Sequence, residues 1–287
     1  MTLTAEDAGR IETPSGKAAG DENFPVGSRL IAPRLRPHVA LFYAFARAID
    51  DIADNPDLSP DDKLARLEAF AAAIRGEREG SGLEKAVRMR ASLIDTGVPE
   101  RHCLDLISAF KQDAVKTRYR DWGELMDYCD RSAAPVGRYL LDLHGESREA
   151  WPANDALCNS LQVINHLQDC ADDYRNLDRV YLPQDWLEAE GAEVEDLAGA
   201  RAASGLRRVL DRCVAGCRDL NARAEHLAPA LKSRRLAAES AVIVEIAKAL
   251  TGRLAREDPI ATRVELTKPQ LLRAGLTGVA KALSRRR

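Results

Sequence analysis

Residues 162–173 read QVINHLQDCADD. Val163, Ile164, Leu167, Cys170 and Ala171 recur at spacings of one and three, the period of a helix with a buried face and one a strand cannot satisfy. Between them Gln162, Asn165, Asp169 and Asp173 fall at offsets 0, 3, 7 and 11, within about 80° of arc at 100° per residue. Residues 43–54, YAFARAIDDIAD, repeat the arrangement. Tyr43, Arg47, Asp50 and Asp54 share about 60° of arc beside an apolar face. Each segment is therefore predicted to be a helix carrying one polar stripe that ends in a DxxxD pair.

Outward from these two stretches the helical period continues over nearly the whole chain after residue 33, and alternating β-branched runs of strand length are missing. Helices are predicted up to Asp54, from Ser59 to Arg75, Leu83 to Ile94, Glu100 to Ala114, Asp121 to His144, Asn154 to Tyr174, Gly205 to Ala228 and Leu231 to Glu257. Asn55-Pro56 stops the first, because proline excludes its predecessor from the helical region. Ser59-Pro60-Asp61-Asp62 caps the second with acids in its first turn. A loop with a short helix is predicted between Asn176 and Leu197. The fold class is all-α, and without a Gly-, Pro- or Ser-rich linker a single domain is expected.

The chain has 287 residues, with 42 Lys and Arg against 45 Asp and Glu, a formal charge of -3. That balance gives no electrostatic reason to expect a nucleic-acid partner. Met1 to Gly20 is polar and carries Glu6, Asp7 and Glu12, unlike the basic start and apolar stretch of a secretory signal. A cytoplasmic chain is expected. No apolar run approaches the roughly 18 residues of a membrane span. The six cysteines form no CxxC pair and are expected to be reduced, mostly buried small hydrophobes.

A lone DxxxD is usually a solvated pair of acids. Here the segments that carry the pairs are too apolar for helices lying loosely on a surface, so their stripes are expected to face something enclosed. Four enclosed carboxylates require cations. An oxygen-only donor set suits Mg2+, which shares its shell between a few carboxylates, water and phosphate. Two such pairs make a clamp for a metal-bound diphosphate, with Arg47 one turn away to contact phosphate oxygens. Without a Walker-type glycine loop, nucleotide phosphoryl transfer has no support, leaving ionisation of a carbon–oxygen bond in an apolar cavity. A di-iron bundle would require an ExxH pair, which the chain lacks. A non-catalytic helical scaffold is the alternative of another class.

Tyr43 to Asp54, the central YCDRSAAPVG (Tyr128 to Gly137) and QVINHLQDCADDYRNLDRVYLP (Gln162 to Pro183) together resemble the squalene and phytoene synthase family. The likeness spans roughly residues 22–266. It implies an all-α isoprenoid synthase bundle with a central active-site cavity, a segment 1–22 ahead of the domain at 23–266, and a C-terminal tail 267–287. It also implies Mg2+ at Asp50, Asp54, Asp169 and Asp173, with Tyr128 among the catalytic residues. Diphosphate-binding and active-site positions would be Arg47, Gln162, Asn165, Arg179 and Tyr181, and Phe24, Tyr43, Tyr128, Val136 and Gly137 would line the prenyl cavity. ENFPV (Glu22 to Val26), APVGR (Ala134 to Arg138) and NHLQDC (Asn165 to Cys170) resemble the bacterial hydroxysqualene synthase branch of hopanoid biosynthesis. That likeness implies presqualene diphosphate as substrate and water as the quenching nucleophile, with head-to-head condensation of two prenyl diphosphates as the alternative. Gln168 stands where many condensing relatives place Arg or Lys, and Asn23 where they often place Ser.

His166 lies about 100° from Asn165 around its helix and is expected to be structural. The tail carries Lys268, Arg273, Lys281, Arg285, Arg286 and Arg287 without an acid, together with Leu271, Leu272, Leu276, Val279 and Leu283. It reads either as a basic amphipathic segment for peripheral contact with an anionic bilayer or as a solvated tail.

Overall fold

The computed structural model describes Ile11, Glu12 and residues 31–284. Phe24, Asn23, the ENFPV segment, nearly all of segment 1–22 and the last three arginines lie outside the described residues. The chain divides into two compact units, one of residues 1–116 with 138–145 and the other of residues 117–137 with 146–287.

In the first unit α1 (Arg36–Ala53) begins with Pro37 in its first turn, where the missing amide proton costs no hydrogen bond. α2 (Pro60–Arg75) is capped as predicted, the Ser59 hydroxyl accepting from the Asp62 amide at 3.2 Å, and it ends at Gly76 with φ +79°. α3 (Glu84–Thr96) and α4 (Arg101–Asp113) complete the set. Phe42, Phe45, Ile49 and Ile52 of α1 are buried, as are Leu67, Phe70 and Ile74 of α2, Met89 of α3 and Leu106 and Ile107 of α4. Each such side chain contributes about 1.5–3 kcal/mol on burial. Tyr139 stacks on Phe42 with ring centroids 4.0 Å apart and donates its hydroxyl to the His38 carbonyl.

The second unit is built on α7 (Trp151–Leu177), a 27-residue helix. Ahead of it come β1 (Arg118–Tyr119), α5 (Trp122–Ser132), α6 (Ala134–Leu143, which crosses the division at residue 137) and a 3-10 turn at Arg148–Ala150. After it come β2 (Val180–Pro183), α8 (Gln184–Glu190), a 3-10 turn at Val194–Ala198, α9 (Ser204–Ala224), α10 (Leu227–Ala230), α11 (Arg234–Leu254) and α12 (Lys268–Ser284). A closed polar chain joins three helices inside this unit. Ser160 of α7 donates to Asn221 of α9 at 2.8 Å, Asn221 to Thr251 of α11 at 3.0 Å, and Thr251 to the Ala247 carbonyl at 2.7 Å. Buried polar groups so satisfied favour one register over its neighbours.

The all-α expectation holds, with four departures. The helix predicted from Asp121 to His144 is two, because Pro135 has no amide proton to bond residue 131, and α5 ends at Ser132 with Ala133 as its cap. α9 ends at Ala224, ahead of the region up to Ala228 predicted for it, and α10 and α11 are separate. β1 and β2 pair in parallel, the Val180 amide donating to the Thr117 carbonyl at 2.8 Å. Two and four residues are too few for alternation to be read. The tail, left open by the sequence, is helical over Lys268–Ser284. All six cysteines are free, and all but Cys158 are buried.

Candidate active site

On α1, Tyr43, Arg47, Asp50 and Asp54 are each half-buried while Phe42, Phe45, Ala48, Ile49 and Ile52 between them are buried. The stripe is thus the accessible edge of an otherwise packed helix. Arg47 bridges two acids, Nη1 lying 3.1 Å from Asp50 and Nε 3.3 Å from Asp51. Asp54 is the capping residue itself, its amide bonded to the Asp50 carbonyl at 2.9 Å. Its carboxylate therefore sits where the partial negative charge of the helix end disfavours an anion, and the last turn holds no basic residue to offset it. Asp51 had not been singled out from the sequence. It is buried off the stripe, and its pairing orients Arg47.

α7 shows the same design. Gln162, Asn165, Asp169 and Asp173 are half-buried among the buried Leu161, Val163, Ile164, His166, Leu167, Gln168, Cys170 and Ala171. Asp155 and Cys158 extend the accessible stripe further towards the helix start. α7 ends where Asp178 adopts φ 49°, a left-handed turn an acid tolerates better than most side chains, and its carboxylate pairs with Arg118 at 2.6 Å. The next amide, of Arg179, bonds the Asp173 carbonyl at 3.2 Å, so Arg179 is tied to the turn bearing the second acid. Its guanidinium is buried and lies 3.4 Å from the Tyr181 hydroxyl.

Tyr128 and Tyr181 meet inside this unit. Their ring centroids are 5.6 Å apart, Tyr119 lies 5.3 Å from Tyr128 and 5.4 Å from Tyr181, and His166 stacks on Tyr181 at 3.4 Å. His166 joins this cluster rather than the polar stripe, as its angular position predicted. Burial, with the nearby Arg179 charge, pushes its imidazole down to about 3, so the ring is neutral. Val136 is half-buried, and Gly137 is buried against α7, where a Cβ would come 2.0 Å from the Asn154 side-chain oxygen. A side chain at 137 would therefore have to displace Asn154.

Sequence reasoning also missed Arg263. From the segment between α11 and α12 it pairs with the Asp169 carboxylate, and Gln168 donates its side-chain amide to the neighbouring Val264 carbonyl at 2.5 Å. No local pattern connects positions 94 residues apart. Among the described residues no three His, Cys, Asp or Glu side chains form a ready metal-binding group. What each of the two helices offers is a pair of carboxylates, Asp50 with Asp54 and Asp169 with Asp173. That donor set is compatible with a hard divalent cation whose remaining positions are filled by phosphate and water. No helix among the described residues is long and apolar enough to cross a membrane.

A helical chain with this pair of acid-ended stripes has the features of an all-α synthase acting on diphosphate esters. The squalene/phytoene synthase family model matches residues 17–270, and the chain belongs to that family of prenyl-diphosphate-processing enzymes. Over 270 residues it is 46% identical to a hydroxysqualene synthase of Zymomonas mobilis, covering 93% of this chain and 90% of that protein. It is 43% identical to a hydroxysqualene synthase of Rhodopseudomonas palustris, covering 96% and 94%. Among solved structures, squalene synthase HpnC from Alicyclobacillus acidocaldarius superposes with a TM-score of 0.71 at 31% identity, covering 88% of this chain and 92% of that one. A dehydrosqualene synthase reaches 0.76 at 17% identity, covering 97% of each chain, which establishes the shared fold.

Proposed function

We propose that this enzyme ionises presqualene diphosphate and directs water to the rearranged carbon cation, releasing hydroxysqualene and diphosphate in hopanoid biosynthesis. The observation that carries the reading is the 46% identity to a hydroxysqualene synthase, sustained over 93% of the chain. The two acid-ended stripes supply its chemistry.

In this reading Asp50, Asp54, Asp169 and Asp173 are the residues that would hold Mg2+. Bound Mg2+ supplies neutralisation of the charge that collects on the departing diphosphate. Arg47 and Arg179 hold phosphate oxygens, and Gln162 and Asn165 complete the polar stripe with uncharged hydrogen-bonding groups. Tyr128 and Tyr181 belong to a buried aromatic cluster whose ring quadrupoles favour a nearby cation, and the neutral His166 stacked on Tyr181 adds no positive charge to it. Tyr43, Val136 and Gly137 are assigned to the prenyl cavity. This reading places the enzyme in the cytoplasm, acting on a lipid substrate.

The test is to supply purified protein and Mg2+ with presqualene diphosphate or with farnesyl diphosphate and to identify the lipid by mass spectrometry. Hydroxysqualene from the first substrate supports the proposal. Presqualene diphosphate or squalene from farnesyl diphosphate would make the protein a condensing synthase instead. No turnover of either substrate would favour a scaffold.

A further inference from the structure

Helix α12 is amphipathic in the inverted sense. A helix lying on a globular protein normally turns its apolar stripe inward. Here Leu272, Leu276, Val279 and Leu283 fall within about 60° of arc, and the three leucines are 65%, 66% and 71% exposed. Among the described residues seven large apolar side chains are exposed, and five of them, these four with Leu271, belong to this one helix.

The outward stripe is held there by packing. Ala274 and Gly278, roughly opposite the leucines, are the buried positions of α12. At Gly278 a Cβ would lie 2.5 Å from the Val242 Cα of α11, so the two helix backbones are in close contact. Lys281 is ion-paired with Glu245 of α11 at 2.6 Å. α12 is therefore docked by its small residues, and its leucines cannot turn inward without separating from α11.

Charge selects the occupant of this face. From Lys268 to Arg287 the sequence has six basic residues and no acid. Lys268 and Arg273 are exposed on either side of the leucine row. A second copy of the same helix would oppose like charges, whereas an anionic lipid surface offers both apolar depth and complementary charge. We propose that α12 is a docking surface for an anionic bilayer, its leucine row entering the acyl boundary and its basic flanks meeting lipid headgroups. The inference takes from the proposed function only that the substrate is a lipid.

The experiment is flotation of the full-length protein, without substrate, on vesicles of phosphatidylcholine alone or of two parts phosphatidylcholine to one of phosphatidylglycerol. Wild type should float with the anionic vesicles, and the substitution set Leu272→Gln, Leu276→Gln and Leu283→Gln should lower the bound-to-free ratio at least tenfold. The circular dichroism spectrum should not change, because these side chains are exposed. Lys268→Gln with Arg273→Gln should reduce the preference for anionic over neutral vesicles. Failure of wild type to float, equal flotation of the leucine variant, or a lipid-free dimer that the leucine variant disperses would each overturn the inference. Since no substrate is present, each of those results leaves the reaction assignment to its own test.

Discussion

The guanidinium of Arg263 is ion-paired with the Asp169 carboxylate, and Gln168, the residue just before Asp169, holds the peptide next to Arg263 through the Val264 carbonyl. One helical turn of α7 thus presents a stripe carboxylate and also anchors the segment that neutralises it. If Asp169 holds a divalent ion, that ion must compete with Arg263. A partly exposed pair of this kind is worth about 0.5–1 kcal/mol. Arg263→Gln should therefore tighten substrate-free binding of Mn2+, used as a spectroscopic substitute for Mg2+, by roughly two- to fivefold. Titration followed by electron paramagnetic resonance measures this, and an unchanged affinity would show that Arg263 does not compete.

Gln168 is buried, and its amide is the donor to Val264. Leucine at this position would leave the carbonyl without that donor at a cost of about 1–3 kcal/mol. Gln168→Leu should lower the unfolding free energy by that amount and speed amide exchange in residues 263–266. Uniform exchange across the second unit would show that the bond does not anchor this segment.

Asp54 caps the C-terminal end of α1, where the end charge disfavours an anion. Asp54→Asn should leave thermal stability unchanged or raise it by about 0.3–1 kcal/mol. Turnover should fall at least about 100-fold if metal-assisted diphosphate departure supplies several kcal/mol. Calorimetry and a diphosphate-release assay read the two effects separately. Full activity in this variant would remove Asp54 from the proposed metal site.

His166 makes stability depend on pH. Its folded value, about 3, lies below the ordinary 6.5, so between them the unfolded chain binds more protons. The contribution is complete above the unfolded value and is lost progressively as pH falls from 6.5 towards 3. Between pH 7 and pH 5 the loss amounts to about 2 kcal/mol. His102, also pushed down mainly by burial although Asp142 opposes the shift, acts in the same direction. Urea unfolding across this range should show a shallower slope for His166→Phe than for wild type, with His102 accounting for part of the remainder.

Gly137 faces the buried Asn154, which donates to the Asp155 carboxylate at 3.2 Å. Alanine at 137 forces Asn154 aside and should cost about 1–3 kcal/mol as overpacking. The companion Gly137→Ala with Asn154→Ala should recover much of that loss in a double-mutant comparison. No recovery would mean that the steric conflict lies elsewhere.

The helices and the two stripes were legible in the sequence because a helix is a local object. Val163, Ile164, Leu167 and Cys170 reveal its period within three turns, and Ser59 and Asn55-Pro56 mark boundaries through hydrogen bonds and sterics spanning only a few residues. The break at Ala133 was missed although Pro135 announces it, because the apolar period runs across the break on both sides. Residue types alone indicated oxygen-rich chemistry at Asp50, Asp54, Asp169 and Asp173. The resemblance over residues 43–54, 128–137 and 162–183 supplied the family that the match over residues 17–270 establishes.

The pairing of Arg263 with Asp169, the parallel contact of β1 with β2 and the stacking of His166 on Tyr181 were decided by tertiary structure. The first two join positions tens of residues apart, where no period carries information. The third depends on β2 reaching α7. The same holds for α12. Its sequence determined that leucines line one face and basic residues flank them, but a helix can turn either face towards a protein. Backbone contact at Gly278 decided that the leucines point outward, because close approach of two helices is available only on the side without bulky side chains.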